Sequence, residues 1–365
     1  MKIKDVRTEV YLQERPPLVF RDDVPPPPSK VLFTIVRVTT DDGIEGFAFG
    51  NKAIAEPTVS SIKPEIIGKD PLDREWIWQR LWYRYDHGRS MAFPLEALSA
   101  VDIALWDLAG KYFGVPVYKL MGGYRDKIKI FASSWGKQSD QDYVDEAVAC
   151  KAQGISGYKI HPYRTMAEEN IKTCRAVREA VGSDMKLIFD AVGRYTRSEA
   201  LRVGKELENL NFYFFEEPIP DHDIEGLIKL REKLNIPICA LETAPMSLYS
   251  VPEYILRRAV DIIRPDAWRD GGITPAKKIA DLCDAFGMRA EVHPSIWFPT
   301  CNLAILHIAC AIKNCEFYDM LWPEWRYGLK EYPKLDDEGY IHVPQKPGLG
   351  IDIDWEALGE PVEKF

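Results

Sequence analysis

KLIFD at 186–190, FYFFE at 212–216 and IPICALE at 236–242 each run through apolar residues and end on a carboxylate. The carboxylates are Asp190, Glu216 and Glu242, and each lies 26 residues after the one before it. A buried strand, a helix and two short loops use about that much chain, because a crossover between parallel strands takes a dozen residues or more. The three acids are therefore expected at the same ends of three neighbouring parallel strands. Carboxylates crowded in that way repel one another unless a cation sits between them.

Working outward, the same texture fills the chain from about Lys127. The apolar runs KIKIFASS, SGYKIH, KLIFDA, FYFFEEP, IPICALE, VDIIRPDA, MRAEVHP and EFYDML alternate with helical stretches such as SDQDYVDEAVACKAQG. Eight strands with seven helices between them predict an α/β fold, a TIM-like barrel of about 200 residues. Upstream, KIKDVRTEVYLQ reads as a strand and RPPLVFRDDVPPPP as an extended Pro-rich loop. VLFTIVRVTTDDGIEGFAFG reads as a hairpin turning at Asp42-Gly43, and PLEALSAVDIALWDLAGKYFG as a helix stopped by glycine. The expected organisation is an α+β capping domain at 1–125, the barrel at 126–322, and a segment at 323–365 that returns to the cap.

Composition limits the function. The chain has 365 residues, 46% of them hydrophobic, with a formal charge of -9 and a pI near 5.4. That acidity, without a basic cluster, argues against nucleic acid as a partner. No apolar run has the length of a membrane span, and the N-terminus carries no signal-like apolar region, so a cytoplasmic protein is expected. Seven scattered cysteines read as buried hydrophobes in a reducing compartment. No GxGxxG or P-loop stands at a strand–helix junction. The Trp-rich stretch REWIWQRLWYRY at 74–85 offers surface for a homo-oligomer, although packing against the barrel explains it as well.

Active sites of such barrels form at the C-terminal ends of the strands. Taken in order, those ends carry Lys159 and His161, then Asp190, Glu216, Glu242, Asp266, His293 and Asp319. Lys159 and His161 are two apart on one strand and point the same way. Three carboxylates without a nearby cysteine form a hard oxygen set suited to Mg²⁺, leaving coordination positions for a substrate carboxylate. Removing the proton beside a carboxylate builds an enediolate, whose charge a metal and cationic side chains stabilise. Beside a metal, Lys159 is expected to lose part of its proton affinity. Asp266 and His293, on neighbouring strands, read as an acid/base dyad.

With these residues in hand, the chain resembles the enolase superfamily, mandelate racemase subgroup. The resemblance covers essentially the whole chain. It is carried by YKIH at 158–161, FDAVGRY at 189–195, FFEEP at 214–218, ALET at 240–243, RPDAWRDGGIT at 264–274 and EVHP at 291–294. It implies a modified (β/α)7β barrel with an N-terminal capping domain, and Mg²⁺ on Asp190, Glu216 and Glu242, with Glu216 preferred over Glu217. It also implies Asp266 and His293 as the dyad, and Asp319 as an acid that polarises the substrate carboxylate. Three departures stand out. His161 occupies the place of the family's lysine base, either as a neutral base or as a substrate contact. Val192 replaces a frequent asparagine, so a polar contact is lost or passes to Arg194. The cap loop carries Phe20 and Arg21, which with Trp297 are the remaining candidates for substrate contact.

The expected activity is dehydration of a small-molecule sugar acid (aldonate or aldarate) to a 2-keto-3-deoxy acid. Here His161 or Lys159 takes the 2-proton, and a charged His293 protonates the departing hydroxyl. The alternatives are a racemase or epimerase using bases on both faces, and a non-catalytic sugar-acid binding protein that keeps the site geometry.

Overall fold

A computed structural model describes residues 1–15, 18–87, 93–242, 248–294, 298–322 and 327–365. The chain opens with β1 (Ile3–Glu14), β2 (Lys30–Thr40) and β3 (Glu45–Asn51). In β1, Val6, Thr8 and Val10 are buried at period two, so one face of an antiparallel sheet is held against the interior. β2 turns into β3 through Asp42-Gly43, where Gly43 has φ 81°. Two long helices follow, Arg74–His87 and Leu95–Phe113. The second is buried along most of its length, and Gly114 ends it in the left-handed conformation.

The eight expected strands are all present. They are β4 (Lys127–Ser134), β5 (Gly157–Ile160), β6 (Lys186–Asp190), β7 (Phe214–Glu216), β8 (Ile238–Ala240), β9 (Ile262–Ile263), β10 (Arg289–Ala290) and β11 (Phe317–Trp322). Consecutive strands from β4 to β10 pair in parallel, and β11 pairs in parallel with β4. The sheet therefore curls back on its first strand. Among the described residues the ladder is interrupted only between β10 and β11. A helix lies between each successive pair of strands, the first being Asp140–Ala152 and the last Pro299–Ala311. Local chemistry sets the helix starts. Ser139 with Asp142, and Thr196 with Glu199, form reciprocal capping boxes. The C-terminal segment touches both halves, because β12 (Tyr340–His342) pairs with β4 and β13 (Glu363–Lys364) pairs with β1.

Alternation decides what faces the barrel axis. Phe131, Ile188, Phe214, Cys239, Ile262 and Phe317 form a separate apolar cluster, while Tyr158, Phe189 and Phe215 belong to the larger core. Asp190 is two residues beyond Ile188, and Glu216 two beyond Phe214, so both acids point inward above this floor. Their strands pair Asp190 with Glu216 in register.

The stretch 264–274 is also held from the cap. Trp78 Nε1 donates to the Gly271 carbonyl at 2.8 Å, and Ser99 Oγ to the Trp268 carbonyl at 2.6 Å. Asp102 accepts from Thr274 N at 2.9 Å and Oγ1 at 2.6 Å. Burial pushes Asp102 up to about 6 despite those two hydrogen bonds. Asp102→Ala should cost about 2–3 kcal/mol, because it strands a buried backbone amide at the joint between cap and barrel. Thermal unfolding of the variant checks this.

Candidate active site

The three strand-end acids converge. Asp190, Glu216 and Glu242 each offer a carboxylate oxygen, and these oxygens lie within 4.8 Å of one another. The backbone bends sharply around them. Val192, Glu217 and Leu241 have φ of 51°, 40° and 80°, although none is glycine. One such residue lies two places after Asp190, another directly after Glu216, and the third directly before Glu242. Backbone held there is costly and persists where surrounding structure fixes it, as at binding and catalytic sites. Asp190 Oδ1 accepts the Val192 amide at 2.8 Å, which ties one bend to its carboxylate.

Lys159 lies beneath, with Nζ 2.8 Å from Asp319 Oδ2, 3.2 Å from Glu216 Oε2 and 3.8 Å from Asp190 Oδ2. Arg264, completely buried, reaches Glu216 Oε1 at 2.9 Å and Asp319 Oδ2 at 2.7 Å. Sequence reasoning took Arg264 only as part of a motif. It stands two residues before Asp266, and that same-face spacing was the available signal. Four buried carboxylates (Asp190, Glu216, Glu242 and Asp319) face two buried cations (Lys159 and Arg264), which leaves two negative charges. The strain shows on Glu242, which burial, with Asp190 and Glu216 beside it, pushes up to about 8. This donor set is all oxygen, and its charge deficit equals one divalent ion, so it fits Mg²⁺.

Lys159 and Asp319 hold each other. Burial lowers the proton affinity of Lys159, but Asp319 and Glu216 outweigh that and hold the ammonium well above its ordinary range. Lys159 is thus held as a cation by its acidic neighbours, and its expected loss of proton affinity refers to the metal-bound site. Burial likewise pushes Asp319 up, yet Lys159 and Arg264 bring it below the usual carboxylate value. An ionised Asp319 holds Lys159 in place.

The two histidines both turn Nε2 toward the acids. His161 Nδ1 lies 2.7 Å from the Ser134 carbonyl, which can only accept, so Nδ1 carries the hydrogen. Its Nε2 is 2.9 Å from Asp190 Oδ2. His293 Nδ1 is 3.1 Å from Asp266 Oδ2, and its Nε2 is 3.2 Å from Glu242 Oε1. Burial, with Arg264, Lys159 and Arg269 nearby, holds His293 well below its ordinary range. It is therefore neutral before a substrate binds, and the charge expected on it belongs to the step in which a hydroxyl leaves. A proton on Glu242 satisfies its Nε2.

A cavity of about 300 Å³ opens above these groups. Phe20, Arg21, His161, Asp190, Glu242 and Arg269 are among its lining residues. Arg194, expected to replace a lost polar contact, instead binds both oxygens of Asp23 at 3.1 and 3.0 Å. Trp297 lies outside the described residues. The cap loop rests directly on the barrel at Gly136, where a Cβ would come within 1.9 Å of the Phe20 carbonyl oxygen. Gly136→Ala should lift this loop and speed proteolytic cleavage within 15–28 about tenfold, measured by limited digestion.

Comparison with known proteins agrees with this architecture. A family model described as Enolase C-terminal domain-like matches residues 142–357. A second, described as Mandelate racemase / muconate lactonizing enzyme, N-terminal domain, matches residues 27–122. An arabinonate dehydratase from Saccharolobus solfataricus is 30% identical over 372 residues, covering 96% of each chain. An L-talarate/galactarate dehydratase from Salmonella typhimurium is 34% identical over 340 residues, covering 91% of this chain and 83% of the relative. The crystal structure of a D-glucarate dehydratase from Agrobacterium tumefaciens complexed with magnesium superposes with a TM-score of 0.89 at 35% identity, covering 98% of each chain. With both of its parts matched by the family's models, the chain belongs to the mandelate racemase subgroup of the enolase superfamily.

Proposed function

We propose that the protein dehydrates a sugar acid to a 2-keto-3-deoxy acid, starting with removal of the proton next to the carboxylate. The carrying observation is the buried cluster of four carboxylates against two cations, flanked by two imidazoles that turn Nε2 toward it. Asp190, Glu216 and Glu242 would hold Mg²⁺, which when bound supplies Lewis-acid polarisation of the substrate carboxylate. Lys159, fixed by Asp319, adds positive charge where the enediolate oxygens develop theirs. His161, whose Nδ1 hydrogen is committed to Ser134, faces Asp190 through Nε2, and once Asp190 turned to a metal that nitrogen would be the base for the proton on carbon 2. His293 protonates the hydroxyl leaving carbon 3, and Asp266 stabilises the imidazolium that this requires. His293 starts neutral, and the negative charge brought by the substrate favours its taking up the second proton. Phe20 and Trp135, edge to face with ring centroids 5.2 Å apart, cover one side of the cavity and limit water. The sugar-acid dehydratases among the relatives support the same reaction class.

One observation favours a second reading. A neutral His293 suits accepting a proton, and an epimerase needs an acceptor on each face of the carbon. Incubation with a sugar-acid library and Mg²⁺ in D₂O separates the two. Dehydration yields 2-keto acids. Epimerisation yields deuterium at carbon 2 with loss of configuration and no keto acid, and that outcome sinks the dehydratase reading.

A further inference from the structure

Arg21 sits in an unusual electrostatic position. Its side chain is only 20% exposed, and it lines the same cavity as His161 and Glu242. Its Nε donates to Asp23 Oδ1 at 3.2 Å. Asp23 is already shared, because Arg194 Nη1 contacts both of its oxygens. One carboxylate against two guanidinium groups leaves one positive charge beside this cavity. Among the described residues Arg21 Nη1 and Nη2 make no hydrogen bond, and neither is sealed from the solvent-accessible space. The other lining cation differs. Arg269 faces Asp266 at 3.6 Å, so its charge is matched.

The segment bearing Arg21 is also fixed. The Asp22 amide donates to the Tyr163 carbonyl at 3.0 Å. Phe20 packs edge to face on Trp135, and the Phe20 carbonyl lies in the space Gly136 leaves free. Asp23, held by Arg194, keeps the Arg21 Nε turned away and leaves the two terminal nitrogens free. A guanidinium fork held this way matches the two oxygens of a carboxylate.

We propose that Arg21 binds a second, distal carboxylate, so that the substrate class is a dicarboxylic sugar acid rather than a monocarboxylic one. The proposal rests on the reading in which the first carboxylate binds at the acid cluster. It then follows that the cavity recognises two anionic groups, one at the acid cluster and one at Arg21. A monocarboxylic acid of equal length places a neutral hydroxymethyl group against a guanidinium under the loop and leaves that charge unmatched.

The test pairs a six-carbon diacid with the monoacid of the same configuration at carbons 2 to 5, on the full-length Mg²⁺-loaded protein. Turnover and calorimetric affinity are both measured. The expected kcat/KM ratio, diacid over monoacid, is about 100 in the wild type. Arg21→Gln should bring the ratio near one, with Arg21→Lys between, and the ratio of dissociation constants should follow. A wild-type ratio near one, or a ratio that Arg21→Gln leaves unchanged, overturns the proposal. If neither acid is turned over or exchanges its 2-proton, the dehydratase reading fails instead, and the calorimetric preference still decides the role of Arg21.

Discussion

His293→Asn is expected to lower net dehydration by about 10³-fold while the protein stays folded and retains its metal affinity. Asparagine fills much of the same space but cannot pass a proton. The change also removes the Nδ1 hydrogen bond to Asp266, whose carboxyl burial already pushes up to about 6. That carboxyl can take up a proton at little cost, so the variant does not leave a buried charge stranded. His161 hangs from Ser134 on a different strand and keeps its Nε2 at Asp190, untouched by the change. Exchange of the 2-proton with D₂O should therefore persist within about tenfold of the wild-type rate, read by NMR. Full keto-acid production by this variant would remove His293 from the acid role.

Glu242→Gln is expected to weaken Mg²⁺ binding about 100-fold or more, because it deletes one of three anionic ligands. It should also change how the metal-free protein responds to pH. In the wild type Glu242 is raised by burial and by its acidic neighbours to about 8. The folded state then binds more protons than the unfolded chain above the ordinary glutamate range, and stability falls as pH rises toward 8. His293 and His307, both held low by burial, act in the opposite direction, but only below their unfolded range near 6.5. Between about pH 6.5 and 7.5 the carboxyl effect is left to dominate, since the buried cysteines, also pushed up by burial, add their own fall only as pH nears their unfolded range of about 8.5. Metal-free wild type should lose thermal stability across that window, Glu242→Gln should lose less, and added Mg²⁺ should remove most of the wild-type slope. Identical slopes in the two proteins would mean that Glu242 does not hold the proton.

Sequence alone made the frame legible for a physical reason. Asp190 and Glu216 end short apolar strands, and the two-residue period of a strand fixes which face they share with Ile188 and Phe214. The spacing of the acids then places neighbouring strands side by side. His293 and Asp266 were readable in the same way. Less legible was anything that depends on which side chain touches which. Arg264 looked like a strand residue, and only its contacts with Glu216 and Asp319 make it part of the charge balance. The hold of Asp319 and Glu216 on Lys159 could not be measured from sequence, where a bound metal was the neighbour considered. The bends at Val192, Glu217 and Leu241 carry no glycine to announce them. Arg194 was assigned toward the substrate, whereas Asp23 from the cap loop engages it. Pairing between a loop and a distant strand end leaves no periodic trace.

The central claim is that one divalent cation completes the buried cluster of four carboxylates and two cations. Mg²⁺ titration calorimetry at pH 7, repeated in two buffers of different ionisation enthalpy, tests it most directly. The predicted result is one ion per chain with release of about one proton, the one that Glu242 holds when the metal is absent. No saturable Mg²⁺ binding, or binding that Glu242→Gln leaves unchanged, would contradict it.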